Sequence, residues 1–466
     1  MASETDAAFS KLWSALGGDA AAPDRIAFTG DGPCLPSVFK VGLAAQLSEG
    51  AAGLAAAEIW RDRSGAAQTV AVDREEAAIG FRSERHVHVV GVEPEYIWDD
   101  VSGHYRCGDG RWVQLHCNYI HHLAGTTAAF RAPVSRPGLQ AALDRMSGEQ
   151  AEQVLIESGM PGGMMRTTEE WRAHPAGKAL DGKPVLDIAR VGDGAARPWT
   201  GDAKRPLAGV RVLDMTRVIA GPVCGRTLAA FGADVLRITP PRYPDRGPLV
   251  LDGGVGKRNA MLNVKSKEGR ETFRRLVAEA DIVVQGYRPG ALDHAGVGPE
   301  AIFEINPGVV SVTLCAFGYE GPWAGRRGFD SIVQTVSGIA DAGGRAAGVA
   351  DGGPKSLPCQ ALDHASGYLM AASAMSALLR QRREGGAWRV RTALAWTGRW
   401  LEDLGRIDAI TAAEPSKEAI ERHFVDEHGP YGHVRRIGLA ARLSETPARW
   451  DLPAAPLDAH TAAWAA

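Results

Sequence analysis

Several features that usually betray a function are missing from this chain of 466 residues. Lys and Arg number 52 against 55 Asp and Glu, a net charge of −3. There is therefore no basic excess to neutralise nucleic-acid phosphates or an anionic membrane. Six cysteines (Cys34, Cys107, Cys117, Cys224, Cys315, Cys359) lie far apart with no C-x-x-C pair, which excludes the usual zinc and redox spacings and leaves reduced thiols as the expectation. No stretch reaches the ~18 uninterrupted apolar residues of a membrane span. The start, Met-Ala-Ser-Glu-Thr-Asp, lacks the basic and then apolar profile of an export signal. A soluble, cytoplasmic protein is the expectation.

Two phosphate-binding signatures are absent as well. Gly253-Gly254-Val255-Gly256-Lys257-Arg258 carries the Gly-Lys of a nucleotide loop, but Leu251 stands at its first glycine and Arg258 where Ser or Thr would hold magnesium. The first strand of the regular region runs into Ala220-Gly221-Pro222 rather than G-x-G-x-x-G, which disfavours a nicotinamide or flavin. No permanently bound cofactor is expected. What the chain has is length for about three compact units at ~150 residues each, an ordinary hydrophobic fraction of 45%, and 56 glycines.

A string of breaker residues near 192–206 reads as a linker. Beyond it, apolar runs at Val210 to Met215, Ala233 to Ile238, Asp281 to Val284 and Val309 to Cys315 alternate with helical patterns at Pro222 to Phe231 and Lys267 to Ala280. Alternation of this kind predicts an α/β fold with a parallel sheet covered on both faces, with ligands at the carboxyl ends of the strands.

The chain also repeats itself. Leu35-Pro36, a helical run, Arg61 to Gly65 and a strand at Gln68 to Val72 resemble Leu357-Pro358, a helical run, Arg380 to Gly385 and a strand at Trp388 to Thr392. The second copy carries Asp363 near its helix start; with one gap, Gly42 takes that place in the first. Asp363 reads either as a helix N-cap, with Tyr368, Leu369, Ala372 and Met375 following at helical spacing, or as a carboxylate nucleophile whose oxyanion the free helix amides would stabilise.

An ordered set of motifs goes further. Pro206 to Asp214, Thr216 to Pro222, Phe231 to Val235, Gly256-Lys257-Arg258, Tyr287 to Leu292, Gly328-Phe329-Asp330, Leu362 to Gly367 and, in the tail, Leu443 to Pro447 together resemble the class III CoA-transferases, the CaiB/BaiF family. The resemblance implies a Rossmann-like large domain with a smaller α+β domain and an interlaced homodimer. It also implies acyl-CoA as donor and a carboxylic acid as acceptor, with Asp363 as nucleophile forming a mixed anhydride and then an aspartyl-CoA thioester. By similarity, Asp330 supports the site. Backbone at Val218, Ile219 and Ala220, and the side chains of Lys257, Arg258, Lys265, Tyr287, Arg288 and Arg327, would contact coenzyme A. Gly286 and His294 depart from the family pattern. Phe329 stands where racemases of the family carry a histidine, so a two-base epimerase lacks one base; an epimerase or lyase, and a silent CoA-ester-binding subunit, are the alternatives.

His104 to Arg106, Gly108 to Leu115 and Glu170-Trp171 resemble the family's small domain, placed here before the large one. The expected layout is thus a degenerate CoA-transferase half with its small domain at 1–195, a linker at 196–206, the CoA-binding catalytic domain at 207–400, and a tail at 401–466 that returns to the core. The small domain would fold over the active site of its own chain or of a partner. His116, His121 and His122 lack a third ligand at a telling spacing, so surface or packing roles are expected for them rather than metal.

Overall fold

The computed structural model describes residues 3–465 apart from 94, 96, 200–203, 243 and 244; part of the expected linker thus lies outside the described residues. The core is a seven-stranded sheet in the order Lys257–Met261, Asp234–Thr239, Arg211–Met215, Ile282–Gln285, Val310–Cys315, Trp388–Ala393, Asp187–Arg190. The first six are mutually parallel and the last is antiparallel. Strands Ile282–Gln285 and Val310–Cys315 are buried at every position, as continuous apolar runs in a sheet covered on both faces must be.

The chain departs in opposite directions from Arg211–Met215 and its neighbour Ile282–Gln285. A crevice therefore opens beyond their carboxyl ends, bounded by the turns at 216–219 and 286–288. The outer antiparallel strand, Asp187–Arg190, comes from within the stretch expected to belong to the N-terminal unit, so the sheet begins before residue 207.

Two helices of 24 residues, Val41–Ser64 and Ala361–Glu384, pack against one another. Each joins a parallel strand pair, Ile26–Thr29 with Val70–Asp73 and Val310–Cys315 with Trp388–Ala393. Each enters through a cap of nearly the same geometry (Lys40 φ −77°, ψ 58°; Gln360 φ −76°, ψ 62°) and ends at a positive-φ glycine, Gly65 or Gly385. Pairing the helices end to end sets Leu43, not Gly42, opposite Asp363; the expected register is off by one because the loop before the helix is two residues longer in the first copy, not one.

Helix Ala220–Ala230 crosses the second long helix so closely at Gly367 that an added Cβ would stand 2.5 Å from the Ala220 carbonyl oxygen. Only glycine permits that approach. The tail joins the N-terminal region through strands: Gly432–Ile437 pairs with His88–Val89, and Arg442–Leu443 with Val70–Asp73. No described helix is long and apolar enough to cross a membrane.

Candidate active site

Asp363 is the third residue of helix Ala361–Glu384 and is 7% exposed. It is not the N-cap; Gln360 is, and its side chain caps nothing. The capping is done from another element. Asp330, at the start of helix Asp330–Val336, accepts the backbone N–H of Leu362 at 2.8 Å and of Asp363 at 2.9 Å through Oδ2. Its Oδ1 accepts from the Gln334 amide, which in turn accepts the Leu357 N–H at 2.7 Å. These helix amides are thus occupied and are not free for an oxyanion, contrary to the expectation. No described group donates to the Asp363 carboxylate. Burial, then the charges of Asp330 and Glu84, push its pKa well above the ordinary value; burial lifts Asp330 to about 6.

Residues 82–85 of the N-terminal region grip this helix start. Glu84 Oε2 lies 2.9 Å from His364 Nε2, with both side chains fully buried, and Phe81 stacks on the His364 ring at 5.5 Å. Arg85 donates to Gln360 Oε1 at 3.1 Å. The segment is itself anchored: Ser83 donates to Asp252 and accepts from Arg226, while Arg82 pairs with Glu414.

Asp363 lines a small cavity of about 40 Å³ with Asp330, Gln360, Val218, Ile219, Leu249, Phe329 and, from the N-terminal region, Ile97, Trp98, His116, Asn118 and Tyr119. The small N-terminal unit therefore folds over the site of its own chain. His116 stacks face to face on Phe329 at 3.8 Å, and burial drives its pKa down to about 3. A second cavity of about 300 Å³ shares Tyr119, Val218 and Phe329 with the first and lies at the sheet crevice, bordered by Met215, Arg217, Gly286, Tyr287, Arg288 and Arg327. Arg288 donates to the Gly325 carbonyl and Arg327 to that of Gly159. Neither pairs with a carboxylate among the described residues, and their mutual repulsion adds to the burial that lowers the Arg327 pKa.

Val218, at the junction of the two cavities, has φ +70°, a strained conformation for a β-branched residue. Asp245 holds it there. This carboxylate accepts the Val218 N–H at 3.4 Å, Arg217 Nε at 3.2 Å, Arg237 Nη2 at 2.7 Å and the Tyr119 hydroxyl at 2.8 Å.

Of the residues singled out from sequence, Asp363, Asp330, Val218, Ile219, Tyr287, Arg288 and Arg327 thus line two cavities that share Tyr119, Val218 and Phe329. Ala220 starts the adjoining helix and lines neither. Lys257 does not face a ligand. It is fully buried, with Nζ 2.7 Å from Asp214 Oδ2 and 2.9 Å from the Pro222 carbonyl, while Asp214 accepts from Thr216. Its charge fixes the turn that carries Val218. Arg258 is likewise spent, forked onto Asp234 at 2.7 and 2.8 Å and bonded to the Ala463 carbonyl. Lys265 stands exposed in the turn after Lys257–Met261, outside both cavities. Sequence reasoning missed Arg217, Asp245, Trp98 and the role of Tyr119. Arg217 lay within a quoted motif; the others act through contacts between distant segments that no local pattern encodes. His116, His121 and His122 come close to one another, but no group of His, Cys, Asp or Glu among the described residues is arranged to hold a metal ion.

Part of the chain is similar to known proteins. Residues 207–414 match the family model described as CoA-transferase family III. The chain is 31% identical over 208 residues to a probable fatty acyl-CoA transferase of Mycobacterium tuberculosis, covering 42% of this chain and 52% of that protein. It is 33% identical over 201 residues to a formyl-CoA:oxalate CoA-transferase of Escherichia coli, covering 41% and 47%. A crystal structure of a CaiB/BaiF family protein from Brucella suis shares 28% identity and a TM-score of 0.39 over 49% of this chain and 65% of that one. The chain spans about half the length of these curated relatives.

Proposed function

We propose that the protein is an acyl-CoA:carboxylate CoA-transferase with Asp363 as covalent nucleophile. The observation that carries this reading is a buried carboxylate without a hydrogen-bond donor, lining a cavity that shares Tyr119, Val218 and Phe329 with an arginine-bordered cavity at the sheet's switch point. Arg217, Arg288 and Arg327 suit the phosphates of coenzyme A, and the pantetheine arm would pass between Tyr119, Val218 and Phe329 toward Asp363.

The cycle balances without any further reagent. The ionised Asp363 oxygen attacks the thioester carbonyl carbon, the C–S bond breaks, and CoA thiolate leaves a mixed anhydride. The thiolate then attacks the aspartyl carbonyl, expelling the donor acid as its carboxylate and leaving an aspartyl-CoA thioester. The acceptor carboxylate runs the two steps in reverse and frees Asp363. Burial of Asp363 excludes the water that would hydrolyse either intermediate. Asp330 and Gln334 fix the helix start that aims the nucleophile.

For the epimerase alternative the cavity offers poor second bases: burial drives the His116 pKa to about 3, and the Asp330 oxygens are committed to three donors. Deuterium wash-in at the α-carbon without transfer to an acid would favour it. The silent-subunit alternative is disfavoured by the intact carboxylate. A homodimer and a cytoplasmic setting belong to the same proposal, and sedimentation with parallel activity assays checks the first. Asp363→Ala, correctly folded by circular dichroism, is expected to lose about 10³-fold or more of transfer activity; full activity in that variant would refute the mechanism.

A further inference from the structure

We infer that the chamber beside Asp363 selects short, uncharged acyl groups, with Trp98 limiting their length and two carboxyl groups rejecting acidic ones. This rests on the reading of the chamber as the acyl end of the CoA site.

Size is the first argument. The chamber measures about 40 Å³ against about 300 Å³ for the neighbouring cavity, a tight space that suits a short acyl group rather than a long one. The walls are stiff where they matter. His116 and Phe329 form a parallel stack 3.8 Å apart with an interplanar angle of 2°, and Trp98 abuts His116 at 5.8 Å and 63°. Phe329 is fixed in turn by preceding Asp330, whose oxygens are committed to three donors. Ile97, Ile219 and Leu249 complete an apolar surface. Aromatic rings packed in this way offer area without rotamers that could swing aside.

Charge is the second argument. An acyl chain ending in a carboxylate would need a cation, and Arg246 is the one cationic side chain among the described residues of the chamber. Its Nε already donates to the Asn118 carbonyl at 3.1 Å, and its Nη2 lies 3.7 Å from Asp99. His116 is neutral at physiological pH, its basicity suppressed by burial. Asp330 and Asp363 face the same small volume, so a second carboxylate on the acyl chain, beyond the one that reacts, adds repulsion in a medium of low dielectric. Asn118 and Gln360 contribute amide groups, which tolerate an uncharged acyl group and do not compensate an anion.

The test is a donor series, acetyl-, propionyl-, octanoyl- and succinyl-CoA, measured two ways. Equilibrium binding to the full-length Asp363→Asn variant reads selection without turnover, and kcat/KM of the unaltered enzyme with one acceptor acid reads it during transfer. Acetyl- or propionyl-CoA is expected to exceed octanoyl- and succinyl-CoA by roughly 10-fold or more in both, the scale of one misplaced methylene or more in an apolar pocket. Trp98→Ala is expected to narrow the octanoyl gap by a similar factor while leaving succinyl-CoA poor. A preference for octanoyl- or succinyl-CoA in the unaltered protein would overturn the inference, whatever the folding of the Trp98 variant. Short-chain preference in binding with no transfer from any donor would leave the inference standing and sink the transferase reading instead.

Discussion

At the scale of single residues, the site depends on a carboxylate that the fold makes hard to ionise. The proposed nucleophile, Asp363, would act in its charged form, yet burial and the neighbouring charges of Asp330 and Glu84 hold its pKa up. The reactive form therefore grows as pH rises through that elevated range. The acid limb of kcat/KM should lie above the usual carboxylate range near 4, and Glu84→Gln, which removes one of the repelling charges, should move the limb to lower pH. A pH–rate profile of both proteins checks this; a limb at an ordinary carboxylate value, unmoved by the substitution, would contradict it. Asp330, raised by the same burial, lies beside Asp363, so the limb belongs to the pair of carboxyls rather than to one atom. Asp363 itself was legible in the sequence because it stands within an ordered series of motifs. Its relation to Asp330 was legible only as a support, since a cap supplied from 33 residues away leaves no trace at helical spacing.

At the scale of elements, the turn after strand Arg211–Met215 is the joint on which both cavities hang. Lys257, Asp214 and Thr216 lock it from beneath, and Asp245 holds Val218 in its strained conformation from the side. Removing one partner of a buried ion pair leaves the other charge uncompensated, at a cost of about 3–5 kcal/mol. Lys257→Ala should therefore lower thermal stability sharply, as calorimetry would show. A variant of unchanged stability that merely binds CoA less well would restore Lys257 as a phosphate contact. Sequence pattern placed the strands and helices of this region within a residue or two, because parallel-sheet strands buried on both faces are continuous apolar runs. It misassigned Lys257 and Arg258 because a Gly-Lys-Arg run looks the same whether its charges face a ligand or an internal carboxylate. It also set the repeat one residue out of register, where only the matched ends of the two long helices reveal the pairing of Leu43 with Asp363.

At the scale of the whole molecule, the N-terminal region and the catalytic sheet are one construction. The N-terminal region gives the sheet its last strand, packs a 24-residue helix on the helix of Asp363, and walls the cavity beside Asp363; the tail pairs with its strands in return. That packing buries Glu49 of the first long helix, whose Oε2 accepts the Ala440 N–H at 2.9 Å while Oε1 has no partner. Burial pushes Glu49 from its ordinary 4.5 to about 8. With the folded value raised above the unfolded one, its contribution is fully present below about 4.5 and is lost as pH rises through 8. Stability should accordingly fall between pH 5 and 8.5, and Glu49→Gln should flatten that slope in a series of melting temperatures; parallel slopes would contradict it. The two-fold character of this arrangement was visible as an internal repeat, whereas the way the halves interlock was not, because strand pairing between residues 70 and 443 is a matter of topology rather than local pattern.

The central claim is that Asp363 carries the acyl group. Propionyl-CoA followed by hydroxylamine, with the digested protein read by mass spectrometry, tests it most directly. The account predicts a hydroxamate at Asp363 that appears only after exposure to acyl-CoA. An unmodified Asp363 peptide from an enzyme that is turning over acyl-CoA would contradict it.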